Sequence, residues 1–155
     1  GTKVWAVDNL MGRASVEYLG GFVRLQYAQN TGGFGSLGAT WPPLLKTLAL
    51  IVLPIGFLLF MLWHAMRSPQ TTKMGAIATA LVVGGGIGNL IDRVMYGYVV
   101  DFMWFGLKSI GTNIFNVADV ALMVGIGLLL LDGRKRPEEP KPADSPSESK
   151  PADAT

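Results

Sequence analysis

The chain has 155 residues, 50% of them apolar and 15% charged, with a mean hydropathy of +0.37, no cysteine and one histidine, His64. Without cysteine there is no disulfide framework, no thiolate nucleophile and no cysteine-based metal site, and a single histidine excludes a multi-histidine metal centre. The net charge of +2 comes from short runs beside apolar segments rather than from a basic face, which argues against nucleic acid and for lipid as partner.

Of the 24 charged residues (13 basic and 11 acidic), 10 fall in residues 133–155 and only 8 in residues 42–131. The first 42 residues hold no run apolar enough to cross a bilayer. Within them Phe22 to Ala28 (FVRLQYA) alternates in strand fashion between Gly20-Gly21 and the turn-rich residues 30–38 (NTGGFGSLG), which predicts a hairpin or small sheet on the membrane surface. Residues 44–66 form an apolar run with Lys46 and His64 near its ends, longer than the ~20 residues that span a ~30 Å hydrocarbon core. Pro54 near its middle is tolerable in lipid if neighbouring helices take up the freed carbonyl. Residues 74–91, rich in glycine, and residues 113–131, polar in their first half, predict two further transmembrane helices. Gly84 and Gly88 supply a small-xxx-small pair for close helix contact. Trp41, Trp63, Trp104, Tyr96 and Tyr98 fall near the predicted boundaries, as interfacial aromatic belts do.

Arg67 and Lys73 in one connector, and Arg134, Lys135 and Arg136 after the third span, place both on the cytoplasmic side. Residues 92–112 and the first 42 then lie outside. Three spans with a cytoplasmic C-terminus leave the N-terminus outside, so an upstream helix is expected before Gly1. The expected organisation is an extracytoplasmic β-segment at 1–42, a transmembrane helical core at 43–132 and a proline-rich, charged, disordered cytoplasmic tail at 133–155.

Between Pro42 and Leu131 the acidic residues are Asp92, Asp101 and Asp119, and the connectivity brings all three to the outer face. Asp119, placed about two turns inside the third span, is a functional candidate because an ionisable group within a span costs at least about 2.5–3.5 kcal/mol to insert. Asn116 and Asp119 share a helix face, with Asn113 one turn earlier; Gly85, Asn89 and Arg93 recur every four residues on the second helix. Two such polar faces at one depth would enclose a pocket. Two carboxylates there suit acid–base hydrolysis, one protonated to donate to a carbonyl and the other activating water, with no metal, cofactor or covalent nucleophile. The alternative is that Asp119 pairs with Arg93 as a tie between helices, in a non-enzymatic membrane protein such as an ion-linked transporter subunit. Lys108-Ser109 as a Ser–Lys dyad is disfavoured, since adjacent side chains seldom face each other, and His64 reads as an interfacial side chain.

Gly88-Asn89-Leu90-Ile91-Asp92-Arg93, Gly97-Tyr98-Val99-Val100-Asp101-Phe102 and Phe115-Asn116-Val117-Ala118-Asp119 closely resemble, in order and spacing, the boxes of bacterial lipoprotein signal peptidase, also called signal peptidase II. Asn30-Thr31-Gly32 resembles that family's outer Asn-x-Gly box, and Gly1-Thr2-Lys3 the end of its Asp-Gln-x-Thr-Lys box. The resemblance implies an all-α membrane protein, a transmembrane bundle of three helices in this chain and four in the family, with a small extracytoplasmic β-cradle. It implies an aspartic endopeptidase of the bacterial inner membrane that cuts diacylglyceryl-modified prolipoproteins before the lipidated cysteine, acting as a monomer among membrane lipids. Asp101 and Asp119 would be the catalytic pair, and Asn30, Gly32, Asn89, Asp92, Arg93, Asn116 and Ala118 would shape the pocket or contact substrate. A catalytically dead homologue that binds lipoproteins is the remaining alternative.

Overall fold

The computed structural model describes residues 1–68, 72–107 and 110–134. Lys108-Ser109 and the tail from residue 135 onward lie outside the described residues. The chain opens with a helix, α1 (Thr2–Leu10), followed by strands β1 (Val16–Tyr18) and β2 (Val23–Asn30). Three helices, α2 (Pro43–Arg67), α3 (Lys73–Tyr96) and α4 (Val117–Arg134), carry the remainder, with β3 (Val99–Leu107) and β4 (Ile110–Gly111) between the last two. The four strands form one antiparallel sheet in the order β1-β2-β3-β4.

Two helices among the described residues, α2 and α3, are long and apolar enough to cross a membrane. Helix α2 starts on Pro43, whose fixed φ suits a first helical turn. It widens into a π-helical stretch at Leu48–Val52 just ahead of Pro54, which has no N–H to give and whose ring crowds the carbonyl a turn back. Most of its large side chains, Leu53, Leu59, Phe60 and Trp63 among them, remain exposed, an apolar surface far larger than a water-facing helix carries. His64 is exposed beside Phe60, in keeping with an interfacial position.

Helices α3 and α4 pack along most of their length, and glycine sets how closely. A Cβ on Gly85 would lie 2.5 Å from the Ala118 carbonyl oxygen, and one on Gly125 would lie 2.7 Å from Val82 Cγ2. The expected Gly84 and Gly88 pair is not the point of contact: Gly84 faces open space, and a Cβ on Gly88 would meet Ala118 Cβ at an ordinary 3.4 Å. The far end of this helix pair is tied by Thr72, whose hydroxyl accepts from Gly75 N (2.9 Å) as the cap of α3 and donates to the buried Asp132 Oδ1 (2.6 Å) on α4.

Several expectations need correction. Helix α1 stands where only strand signals were read; with Ala6 and Leu10 as its buried residues it is too short to announce itself and is held by packing against Val100 and Phe102. The sheet is not confined to the N-terminal 42 residues, because β3 and β4 come from the connector after α3. Strand β3 (VVDFMWFGL) is apolar on both faces except for Asp101 because its first half is buried on both sides, so no alternation marks it. Helix α3 runs past Asp92 to Tyr96, and α4 begins at Val117 rather than 113, which puts Asp119 in its first turn instead of two turns inside. Trp104 is no belt residue: it is buried in β3 beneath the Arg24 guanidinium, 4.7 Å from the ring centre.

Candidate active site

Asp119 is fixed by the way α4 begins. The Asn116 side-chain Oδ1 accepts from the backbone N–H groups of Ala118 (2.7 Å) and Asp119 (3.2 Å), while Asp119 Oδ2 accepts from Asn116 N (3.0 Å). This is a reciprocal capping box, so a carboxylate at the third helical position is held by the same bonds that start the helix. Its other oxygen accepts from Asn89 Nδ2 of α3 at 2.7 Å.

Asp101 is fixed by the sheet. Successive residues of β3 point to opposite faces: Val100 and Phe102 pack on α1, while Val99, Asp101 and Phe105 face the helices. Between the pairings Leu25↔Met103 and Ala28↔Asp101, strand β2 carries two residues against one, a bulge. In a regular ladder Tyr27 would oppose Asp101 and Asn30 would lie on the other face. The extra residue reverses that parity and brings Asn30 to the face of Asp101, where its Nδ2 reaches Asp101 Oδ2 at 3.1 Å. Asn30 also folds the Asn-Thr-Gly turn, accepting from Gly32 N (3.0 Å) and donating to Gly33 O (3.0 Å).

Asn116 joins the two carboxylates. It is fully buried, and its Nδ2 donates to Asp101 Oδ1 at 2.7 Å and to Asn89 Oδ1 at 3.1 Å. Burial pushes the Asp101 carboxyl above its ordinary range; the Asn116 and Asn30 donors pull it back, the charge of Asp119 adds to the rise and Lys3 opposes it.

Both aspartates open onto one pocket of about 600 Å³ between the sheet and the three long helices. Its polar end holds Asn30, Asn89, Arg93, Asp101 and Asp119, and its walls are apolar, from Pro54, Phe57 and Leu58 on α2, Val82 on α3, and Met123 and Ile126 on α4. A smaller recess of about 320 Å³, lined by Gln26, Gln29 and Ser36, shares Asn30, Asp101 and Asn113 with it.

The structure thus gathers the expected residues unevenly. Asn116 stands behind the wall as a brace. Gly32 presents its carbonyl to Arg93 Nη2 at 3.0 Å and packs so tightly that a Cβ would sit 2.5 Å from the Ser36 backbone. Gly32, Asp92 and Ala118 do not line the pocket. Buried Asp92 turns its Oδ2 to Lys3 (2.7 Å) and to Val100 N (2.9 Å), and Ala118 sits at the contact between α3 and α4. Asn113 lies in the extended stretch before α4 rather than on a helix face. The alternative tie between Arg93 and Asp119 is not made: among the described residues the ion pairs are Lys3 with Asp92 and Arg24 with Glu17. The sequence marked Lys3 only as the end of a box resembling the family's and gave it no role in the site, although its ammonium reaches Asn89 at 2.8 Å. The signals available were that box and the spacing of Asn89 and Asp92, one helical turn apart and in need of a donor.

Residues 1–134 match the family described as signal peptidase (SPase) II. The lipoprotein signal peptidase of Pasteurella multocida (strain Pm70) is 36% identical over 140 residues, covering 90% of this chain and 84% of that protein. That of Symbiobacterium thermophilum is 37% identical over 131 residues, covering 82% and 81%. A bacterial membrane enzyme solved by the in meso method at 2.3 Å superposes with a TM-score of 0.72 at 24% identity, covering 90% of this chain and 85% of that one. A second, at 1.9 Å, gives 0.72 at 26% identity, covering 86% and 83%. With the fold, the polar boxes and the sequence match all spanning the same residues, the chain belongs to the signal peptidase II family.

Proposed function

We propose that this protein is an aspartic endopeptidase that removes signal peptides from diacylglyceryl-modified prolipoproteins, cutting before the lipidated cysteine, with Asp101 and Asp119 as its catalytic pair. The observation that carries the reading is the presence of both carboxylates at the polar end of one apolar-walled pocket, cross-linked through Asn116 and Asn89. Helices α2, α3 and α4 span the bacterial inner membrane, and the sheet sits on its extracytoplasmic side. The apolar walls suit a signal-peptide segment, and the lipid chains stay in the bilayer beside the helices. The protein works as a monomer.

The buried Asp101, whose carboxyl is raised, holds the proton, and Asp119 is the base. Asp119 takes a proton from water as the water oxygen attacks the scissile carbonyl carbon, and Asp101 gives its proton to the carbonyl oxygen. As the resulting gem-diol collapses, the leaving nitrogen takes the proton from Asp119, the C–N bond breaks, and a hydroxyl proton returns to Asp101. Arg93 and Asn30 hold the peptide extended across the pair, with Arg93 itself steadied by the buried Gly32 carbonyl, which turns a bimolecular attack into a local one. The test is cleavage of a diacylglyceryl lipobox peptide by purified protein in detergent beside Asp119→Asn. Cleavage before the lipidated cysteine by the parent alone supports the reading; cleavage by both removes the pair from catalysis.

A further inference from the structure

Lys3 lies on α1, which packs through Ala6 and Leu10 on the sheet face of Val100 and Phe102, yet its ammonium is committed to α3. It donates to Gly88 O at 3.1 Å, Asn89 Oδ1 at 2.8 Å and Asp92 Oδ2 at 2.7 Å, and its side chain is 17% exposed. An ammonium has three donors and no acceptor, so these three bonds use it completely. Its charge therefore fixes which way round the Asn89 carboxamide lies. The oxygen must face Lys3, and the amino group must face the other way, where Asp119 Oδ1 waits at 2.7 Å. Asn116 Nδ2 reinforces this at 3.1 Å with one of its two N–H groups, the other going to Asp101, but the shorter, charge-assisted bond from Lys3 at 2.8 Å is the stronger of the two. Reversing the carboxamide would set an amino group against an ammonium and an oxygen against a carboxylate.

We propose that Lys3 is a positioning residue for catalysis: through Asn89 it fixes the donor that holds Asp119 as a hydrogen-bond-accepting carboxylate aimed into the pocket. The assignment rests on the reading of Asp119 as the base. Lys3 itself does not line the pocket, so it acts on the chemical step and not on substrate affinity. The Lys3 and Asp92 ion pair is the anchor of this arrangement, and Asn89 is its output.

The test is a double-mutant cycle on the full chain, with kcat and KM measured on a diacylglyceryl lipobox peptide and folding followed by thermal unfolding in detergent. Lys3→Met is expected to lower kcat about 30-fold, the weight of one hydrogen bond to a charged group, with KM within about threefold of the parent. Asn89→Ala is expected to lose a similar factor. Because Lys3 acts through Asn89, adding Lys3→Met to Asn89→Ala should cost no more than about threefold further, where independent roles would multiply. Lys3→Arg, which keeps a cationic donor, should recover part of the kcat lost by Lys3→Met. If Lys3→Met does not fold, Lys3→Gln carries the same cycle, since it keeps a donor and loses the charge. Multiplicative losses, a change confined to KM, or a folded Lys3→Met with parental kcat would overturn the proposal. Asp119→Asn runs alongside: if it still cleaves, the base assignment has failed, whereas an inactive Asp119→Asn beside a fully active Lys3→Met removes Lys3 alone.

Discussion

Replacing Asn116 by alanine tests the joint between helix start and active site. The side chain is fully buried and makes four hydrogen bonds, two as acceptor from the first turn of α4 and two as donor to Asp101 and Asn89. Loss of the cap costs about 1 kcal/mol. Stripping a 2.7 Å donor from Asp101, which is 2% exposed, costs about 1–3 kcal/mol more, the penalty for leaving a buried acceptor without its partner. Asn116→Ala is therefore expected to be destabilised by about 2–4 kcal/mol, a large share of the 5–15 kcal/mol a typical domain has. Asn116→Ser restores an acceptor for the α4 amides but not the reach to Asp101, and should recover only the capping part. Unfolding in detergent reports the stability, and hydrolysis of a lipidated peptide by the folded fraction reports the site. An Asn116→Ala protein that melted with the parent and cleaved at the parental rate would refute both the capping-box and the bridging roles.

Further outcomes are expected. Asp101→Asn and Asp119→Asn should each abolish cleavage while leaving the protein inserted in membranes, checked by fractionation beside the peptide assay. The Asn30 donor holds the raised Asp101 carboxyl down, with Asn116, Lys3 and Asp119 the other groups acting on it. A proton-donating Asp101 works only below its pKa, so Asn30→Ala, which raises that pKa further, should move the alkaline limb of the kcat profile to higher pH; a shift to lower pH would reverse the acid and base assignments. Gly85→Val places side-chain atoms where a Cβ already lies 2.5 Å from the Ala118 oxygen, and should lower stability by at least the 1–3 kcal/mol typical of overpacking, about what separates a folded from a marginal mutant. Gly84→Ala, facing open space, should be neutral or stabilising in the same melt, and equal effects at both positions would contradict the helix contact described.

Much of this was readable in the chain before any coordinates. Apolar length marked α2 and α3, because a bilayer-spanning helix depends on composition over some twenty residues and on little else. Helical spacing set Asn89 and Arg93 on one face, since the 3.6-residue period is a local property, and the three-residue spacing of Asn116 and Asp119 brings them together as cap and third residue of α4 rather than along a helix face. The polar boxes and their resemblance to signal peptidase II pointed to Asp101 and Asp119 together. What the sequence by itself could not settle is which side chains meet. Asn30 reaches Asp101 only because a bulge reverses the parity of β2 against β3, and a bulge is a property of two paired strands. Lys3 reaches Asn89 only because α1 docks on the sheet through Ala6 and Leu10, a contact between segments more than eighty residues apart. Gly85 rather than Gly84 takes the close helix approach because the facing carbonyl of Ala118 lies there. Local pattern determined the elements and the chemical inventory; the long-range packing of those elements alone decided how the inventory became a site.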